Sequence, residues 1–189
     1  DDEPAIVFRS EGGAARTLSR AALHAETARM AAALRSWGVR PGDRVAGYVP
    51  NIPEAVAAAL AAASVGAIWS SCSPDFGVGG VLDRFGQIEP RVLVAAAGYL
   101  YGGTRYDVLD KIGAVVEALP SVERVVIVGY PDRPPAGRMP PRAVAWETLP
   151  AAPGDEILFE SLPFDHPLYI LYSSGTTGPP KCIVHGAGG

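Results

Sequence analysis

Five short apolar runs, separated by segments of helical period, constrain the fold of this chain more than any other feature. Residues 44–49, 67–70, 91–95, 124–128 and 168–172 each have the length and the β-branched or aromatic content of a strand. Continuous apolar runs of this kind, with helices between them, imply a parallel sheet covered on both faces. In the intervening segments, Ser19 is placed to cap a helix whose apolar residues Leu23, Met30, Leu34 and Trp37 keep helical spacing, with Gly38 as its stop. Asn51 is expected to cap the next helix, with Pro53 early in it, Glu54 placed to receive capping donors, and Gly66 as its end. Weaker periodicity predicts a helix over about 78–87, and residues 106–119 also read as helix. Residues 5–8 and 182–185 read as further strands. The expected class is α/β, a three-layer α/β/α arrangement with a mostly parallel sheet, and residues 1–189 form a single unit.

Residues 129–155 break the rhythm, because Pro131, Pro134, Pro135, Pro140, Pro141, Pro150 and Pro153 fall there with little periodicity. That stretch is expected to be a surface crossing or loop and not a domain linker. The formal charge of −4 is mild, so neither nucleic acid nor an anionic membrane is an implied partner. The run 55–63 is too short and too alanine-rich to span a bilayer. Asp1-Asp2-Glu3 has the wrong charge to open a signal peptide, and the absence of an initial Met gives the N-terminus a trimmed look. Cys72 and Cys182 form neither a metal pattern nor a disulfide framework, so no metal-ligating residue is assigned and a reducing, cytoplasmic setting is expected.

Chemistry concentrates in Tyr172-Ser173-Ser174-Gly175-Thr176-Thr177-Gly178-Pro179-Pro180-Lys181. Four hydroxyls, two glycines and one lysine lie within nine residues, directly after a predicted strand. Gly175 and Gly178 allow backbone conformations closed to other residues and bring N–H groups near an anion. The hydroxyls add neutral donors and Lys181 adds a compact positive charge, a set suited to a polyphosphate. Lys111 and Lys181 are the only lysines among sixteen basic residues, so a lysine in this loop is suggestive of a required ammonium. The G-x-x-x-x-G-K-[ST] loop is excluded, since Gly175 and Gly178 are three apart, two prolines precede Lys181, and a strand follows. A Ser/Thr/Gly-rich turn that merely joins two strands is the competing reading.

The ten-residue segment closely resembles the phosphate-binding signature of the adenylate-forming superfamily, which includes acyl-CoA synthetases, luciferases and the adenylation domains of peptide synthetases. Pro50-Asn51-Ile52-Pro53-Glu54, Gly66-Ala67-Ile68-Trp69-Ser70-Ser71-Cys72-Ser73-Pro74-Asp75-Phe76, Val81-Leu82-Asp83-Arg84-Phe85, Gln87-Ile88-Glu89-Pro90 and Lys181-Cys182-Ile183-Val184-His185-Gly186 resemble the acetoacetate-activating members. The resemblance implies a ligase that joins acetoacetate to AMP with loss of pyrophosphate and passes the acyl group to coenzyme A. It implies ATP, Mg²⁺ and CoA as cofactor and co-substrates. Ser173, Ser174, Gly175, Thr176, Thr177, Gly178 and Lys181 would hold the phosphates, with Lys181 and Thr176 as the catalytic pair. It further implies that the adenine, ribose and acyl contacts and a C-terminal domain lie beyond Gly189, in a remainder of the same enzyme, so the chain alone would not turn over. An acetyl- or propionyl-CoA synthetase-like ligase and a non-catalytic nucleotide-binding module remain alternatives.

Other candidates have plainer readings. Cys72 lacks a sequence-local base and is expected to be a buried structural thiol. His24, His166 and His185 show no metal spacing; His166 is expected at a strand entrance, while His185 lies near enough to the loop to line it. Trp37, Trp69 and Trp146 are read as packing residues, and Asp75 and Glu89 as cap and turn residues.

Overall fold

The computed structural model describes residues 2–130, 137–152, 154, 156–175 and 178–188. The chain opens with β1 (Pro4–Arg9), β2 (Ala15–Ser19), α1 (Arg20–Ser36), β3 (Arg44–Tyr48), α2 (Pro53–Ser64) and β4 (Ile68–Cys72). It continues with α3 (Val78–Ile88), β5 (Val92–Ala96), β6 (Gly98–Tyr101), β7 (Thr104–Asp107), α4 (Leu109–Ala118) and β8 (Arg124–Val128). Last come β9 (Ala143–Ala145), a 3-10 turn at Trp146–Thr148, β10 (Pro167–Tyr172) and β11 (Cys182–Gly186). Among the described residues, seven strands form one sheet in the order β11-β10-β4-β3-β5-β8-β9. Every neighbouring pair is parallel except β10 with β11, which is antiparallel.

The expected three layers follow from how β5 divides its side chains. Val92, Val94 and Ala96 join the cluster holding Met30 and Leu34 of α1 and Ala57, Ala58, Ala61 and Ala62 of α2. Leu93 and Ala95 join the opposite cluster, with Val81, Phe85 and Ile88 of α3 and Ile112, Val115 and Val116 of α4. All five residues of β5 are buried, which accounts for the unbroken apolar run in its sequence. Ser19 caps α1 as expected, its Oγ accepting the Ala22 N–H at 3.1 Å. Gly66 ends the α2 connection with φ +71, where a Cβ would also lie 3.0 Å from the Pro41 ring.

Several local expectations need correction. Asn51 does not cap α2. The helix opens on Pro53, whose ring favours the first helical position and pushes Ile52, the cap residue, to φ −127 and ψ 156. Glu54, instead of receiving capping donors, takes a forked contact from Arg16 at 2.6 and 2.8 Å. Tyr106 is not helical. It lies in β7, paired with β6 across the Gly102-Gly103 turn, and its ring stacks on Tyr99 at 4.9 Å. The two glycines at φ +57 and +74 suit a tight hairpin, a signal that the helical period masked. Asp75 does not cap α3, whose cap residue is Gly77 without a side-chain bond. Glu89 ends α3 in the left-handed conformation at φ 47, as a turn residue should.

The proline-rich stretch is more than a crossing. Ala143–Ala145 extends the sheet beside β8, and Trp146 is buried, donating from Nε1 to Glu26 at 2.7 Å. Pro131, Pro134, Pro135 and Pro153 lie outside the described residues. β1 stands apart from the main sheet, in an antiparallel pair with β2. β10 is less covered than its sequence implies: Ile170 is buried but Leu171 is 50% exposed. The reason is position, since β10 is followed only by the antiparallel β11, whose Ile183 and Val184 are also open. No helix among the described residues is long and apolar enough to cross a membrane.

One buried hydroxyl ties sheet to turn. Tyr48, at the end of β3, is fully buried, and its hydroxyl lies 2.9 Å from the Pro74 carbonyl and 2.6 Å from that of Phe76. Burial pushes its ionisation well above the ordinary phenol range, so it remains a donor at any working pH. Tyr48→Phe is expected to cost about 1–2 kcal/mol, because it strips these carbonyls of their donor. A lowered thermal midpoint in calorimetry is the expected outcome; an unchanged midpoint would remove the turn from its dependence on Tyr48.

Candidate phosphate-binding site

The segment singled out in the sequence is the connection between β10 and β11. Because β10 runs parallel to β4, β3 and β5, this connection lies at the carboxyl end of the sheet, where open α/β folds gather ligands. A strand, and not a helix, follows it in the chain. Tyr172 pairs with Cys182, and the next residues close a neck. The Ser173 N–H donates to the Lys181 carbonyl at 3.0 Å, and the Lys181 N–H donates to Ser173 Oγ at 2.9 Å. Ser173 Oγ therefore accepts at the neck, and its O–H remains available to donate elsewhere.

Beyond the neck, Gly175 has φ +68 and the Gly178 N–H reaches the Gly175 carbonyl at 3.3 Å. A Cβ at position 175 would come within 2.9 Å of the Gly178 oxygen and 3.2 Å of the Pro180 nitrogen. Both the conformation and the close approach require glycine. Ser174, Gly178 and Lys181 are exposed and Pro180 is buried. Among the described residues, no carboxylate stands within ion-pair distance of the Lys181 ammonium. Thr176 and Thr177 lie outside the described residues. Ser173 and Lys181 at the neck and Ser174, Gly175 and Gly178 beyond it are thus gathered in one hairpin.

Three supports escaped the sequence reading. Ser70 on β4 donates to the Ile170 carbonyl at 2.9 Å, and the Tyr172 hydroxyl lies 3.1 Å from Ser70 Oγ. Arg84 on α3 lies 4.2 Å from the Phe76 ring centre and 5.8 Å from that of Tyr172. Gln87, also on α3, donates to the Pro180 carbonyl at 2.7 Å. None carries a local signature, since each acts through residues about 90–100 positions distant. Burial pushes the Tyr172 phenol up to about 12, against the opposing pull of its Ser70 bond.

The remaining candidates fall outside the hairpin tip. His166 Nε2 lies 2.8 Å from the Gly66 carbonyl, next to Pro167 where β10 begins, as its strand-entrance reading requires. His185 stacks on Tyr169 at 5.0 Å across the strand pair, four residues past Lys181. Cys72 is buried, and burial pushes its thiol up to about 12, with Arg84 opposing. No group of three His, Cys, Asp or Glu suited to a metal occurs among the described residues.

The fold and this hairpin define the class. Residues 1–189 match the family described as AMP-binding enzyme, and the chain belongs to it. The chain is similar to acetoacetyl-coenzyme A synthetase of Rhizobium meliloti (strain 1021), at 48% identity over 98% of this chain and 28% of that protein. It is also similar to malonamoyl-CoA synthetase of Penicillium aethiopicum, at 43% identity over 99% of this chain and 27% of that protein. Acetoacetyl-CoA synthetase from Streptomyces lividans superposes with a TM-score of 0.91 at 47% identity, covering 100% of this chain and 28% of that one. The chain thus spans a little over a quarter of the length of the curated relatives it matches.

The state of Cys72 can be checked directly. A thiol raised to about 12 is ionised at pH 8 in only roughly one molecule in ten thousand, and burial excludes reagent as well. Iodoacetamide at pH 8 is expected to leave Cys72 unlabelled in the native protein and to label it fully after denaturation, read by peptide mass spectrometry. Rapid native labelling would place Cys72 at an open surface.

Proposed function

We propose that this chain supplies the phosphate-binding loop of an AMP-forming acid–CoA ligase acting on acetoacetate, ATP and CoA. One observation carries the reading: a glycine-dependent hairpin at the carboxyl end of a parallel sheet presents hydroxyls and an ammonium with no ion-pair partner among the described residues. It occurs in a chain 48% identical to acetoacetyl-CoA synthetases.

In the reaction proposed, a carboxylate oxygen of the acid attacks the α-phosphorus of ATP, the bond to the bridging oxygen breaks, and pyrophosphate leaves. The CoA sulfur then attacks the acyl carbon and gives up its proton, the bond from that carbon to the AMP oxygen breaks, and AMP leaves as the thioester forms. Negative charge grows on the β- and γ-phosphates during the first step, so donors fixed around them favour the transition state. Ser173, Ser174, Gly175, Thr176, Thr177, Gly178 and Lys181 hold those phosphates, with Lys181 and Thr176 as the catalytic pair. No protein nucleophile is needed. The neutral donors and the lysine fit a phosphate chain, and Mg²⁺ bound with ATP would supply further positive charge beside the phosphates that these residues hold. The two free thiols suit a cytoplasmic setting. The rest of the ligase, with its acyl pocket and C-terminal domain, completes the site formed by this single α/β segment.

The test is acid-dependent ATP–pyrophosphate exchange by the full-length protein that contains these residues, comparing acetoacetate with malonamate, acetate and butyrate. Exchange dependent on acetoacetate is expected. Lys181→Ala is expected to lower it by about 10²-fold with an unchanged thermal midpoint, since an exposed lysine supports no packing. Absence of exchange with every acid would overturn the ligase reading in favour of a binding module.

A further inference from the structure

We propose that Gln87 is a positioning residue for the phosphate loop, anchoring from α3 the two residues that flank Lys181. The proposal rests on the ligase reading above and adds to it a residue outside the loop. Gln87 Nε2 donates to the Pro180 carbonyl at 2.7 Å and to the Asp83 carbonyl at 2.6 Å, and Oε1 accepts from Cys182 Sγ at 3.5 Å. This network fixes which way the amide points, because the flipped amide would set its oxygen against two carbonyl oxygens.

The consequence falls on Lys181. Its neighbours Pro180 and Cys182 are both held by one side chain, while its own N–H and C=O are held by Ser173. The ammonium therefore swings from a fixed root. The anchor reaches further into the loop through Pro180, whose nitrogen and Cα are 3.2 and 3.5 Å from where a Cβ on Gly175 would stand. Displacing Pro180 would thus open the close approach that shapes the loop.

α3 is a firm base for this. Val81, Phe85 and Ile88 bury its inner face, and Arg84, one turn before Gln87, lies against Tyr172 at the other arm of the loop. Arg84 itself is held by the Gly80 carbonyl at 2.7 Å. One helix therefore grips the incoming arm at Tyr172 and the outgoing arm at Pro180. Gln87 is exposed and contributes nothing to the core, so its hydrogen bonds to the loop are the main work of its side chain.

The experiment is ATP–pyrophosphate exchange with acetoacetate, using full-length wild type, Gln87→Leu, Gln87→Glu and Lys181→Ala. Gln87→Leu keeps the bulk and loses the donors; kcat/KM for ATP is expected to fall about tenfold, while KM for acetoacetate stays within about twofold and the thermal midpoint holds. Gln87→Glu is expected to show the same or a larger defect at both about pH 6 and about pH 8.5, because an exposed carboxylate is ionised at either pH and sets an oxygen, not a donor, against the Pro180 carbonyl. Wild-type ATP kinetics in both variants would overturn the positioning role while exchange by wild type and its loss in Lys181→Ala left the ligase reading standing. A defect shared equally by ATP and acid, with a fallen midpoint, would also overturn it by showing a structural role. Failure of wild type to exchange would overturn the ligase reading and this proposal together.

Discussion

β5 has no face left for water, and that condition organises the molecule. Val92, Val94 and Ala96 are committed to α1 and α2, and Leu93 and Ala95 to α3 and α4. A strand so placed must satisfy every backbone group through its neighbours β3 and β8, since no solvent is available to substitute. Parallel pairing then forces each connection across a face, and the helices that make those crossings supply the cover. The alanines of α2 belong to the same logic: small side chains let α1 and α2 lie close above the sheet, and they lose no rotamer freedom on burial.

The sheet delivers the phosphate loop as a by-product of direction. All its parallel strands point their carboxyl ends the same way, so the β10–β11 connection emerges where strand ends leave a crevice. What differs from a helix-terminated phosphate site is the source of order. Here a hairpin neck closed by Ser173 and Lys181, two consecutive prolines and the flank of α3 set the geometry. The positive charge is then carried by one side chain, with the neutral donors around it.

The sequence revealed features whose causes are local. The runs at 44–49, 91–95 and 124–128 are strands because burial on both faces demands unbroken apolar residues, and nothing distant is needed to see it. Ser19 was readable as a cap because its partner is three residues away. Asn51 misled because two cap-like signals adjoin, and the stiffness of Pro53 shifted the boundary by one residue. Tyr106 misled because its place in a hairpin depends on Tyr99 across two glycines, while its own neighbours keep helical spacing. β9 was invisible because a three-residue edge strand takes its identity from β8 alone. The loop stood out through composition, yet Ser70, Arg84 and Gln87, which brace it, are ordinary residues until the fold brings them there.

The open side of β11 has a consequence for handling these residues as a separate polypeptide. Its outward backbone groups have no ladder partner among the described residues, and Leu171, Ile183 and Val184 stand 50%, 46% and 57% exposed beside them. A bare apolar edge of that kind is a template onto which a strand from another molecule can zip, with no charged side chain on Ile183 or Val184 to discourage it. Colloidal behaviour, and not melting, would then set the concentration ceiling for the isolated segment. A lysine placed at Val184, facing outward from the rim, would be the natural gatekeeper.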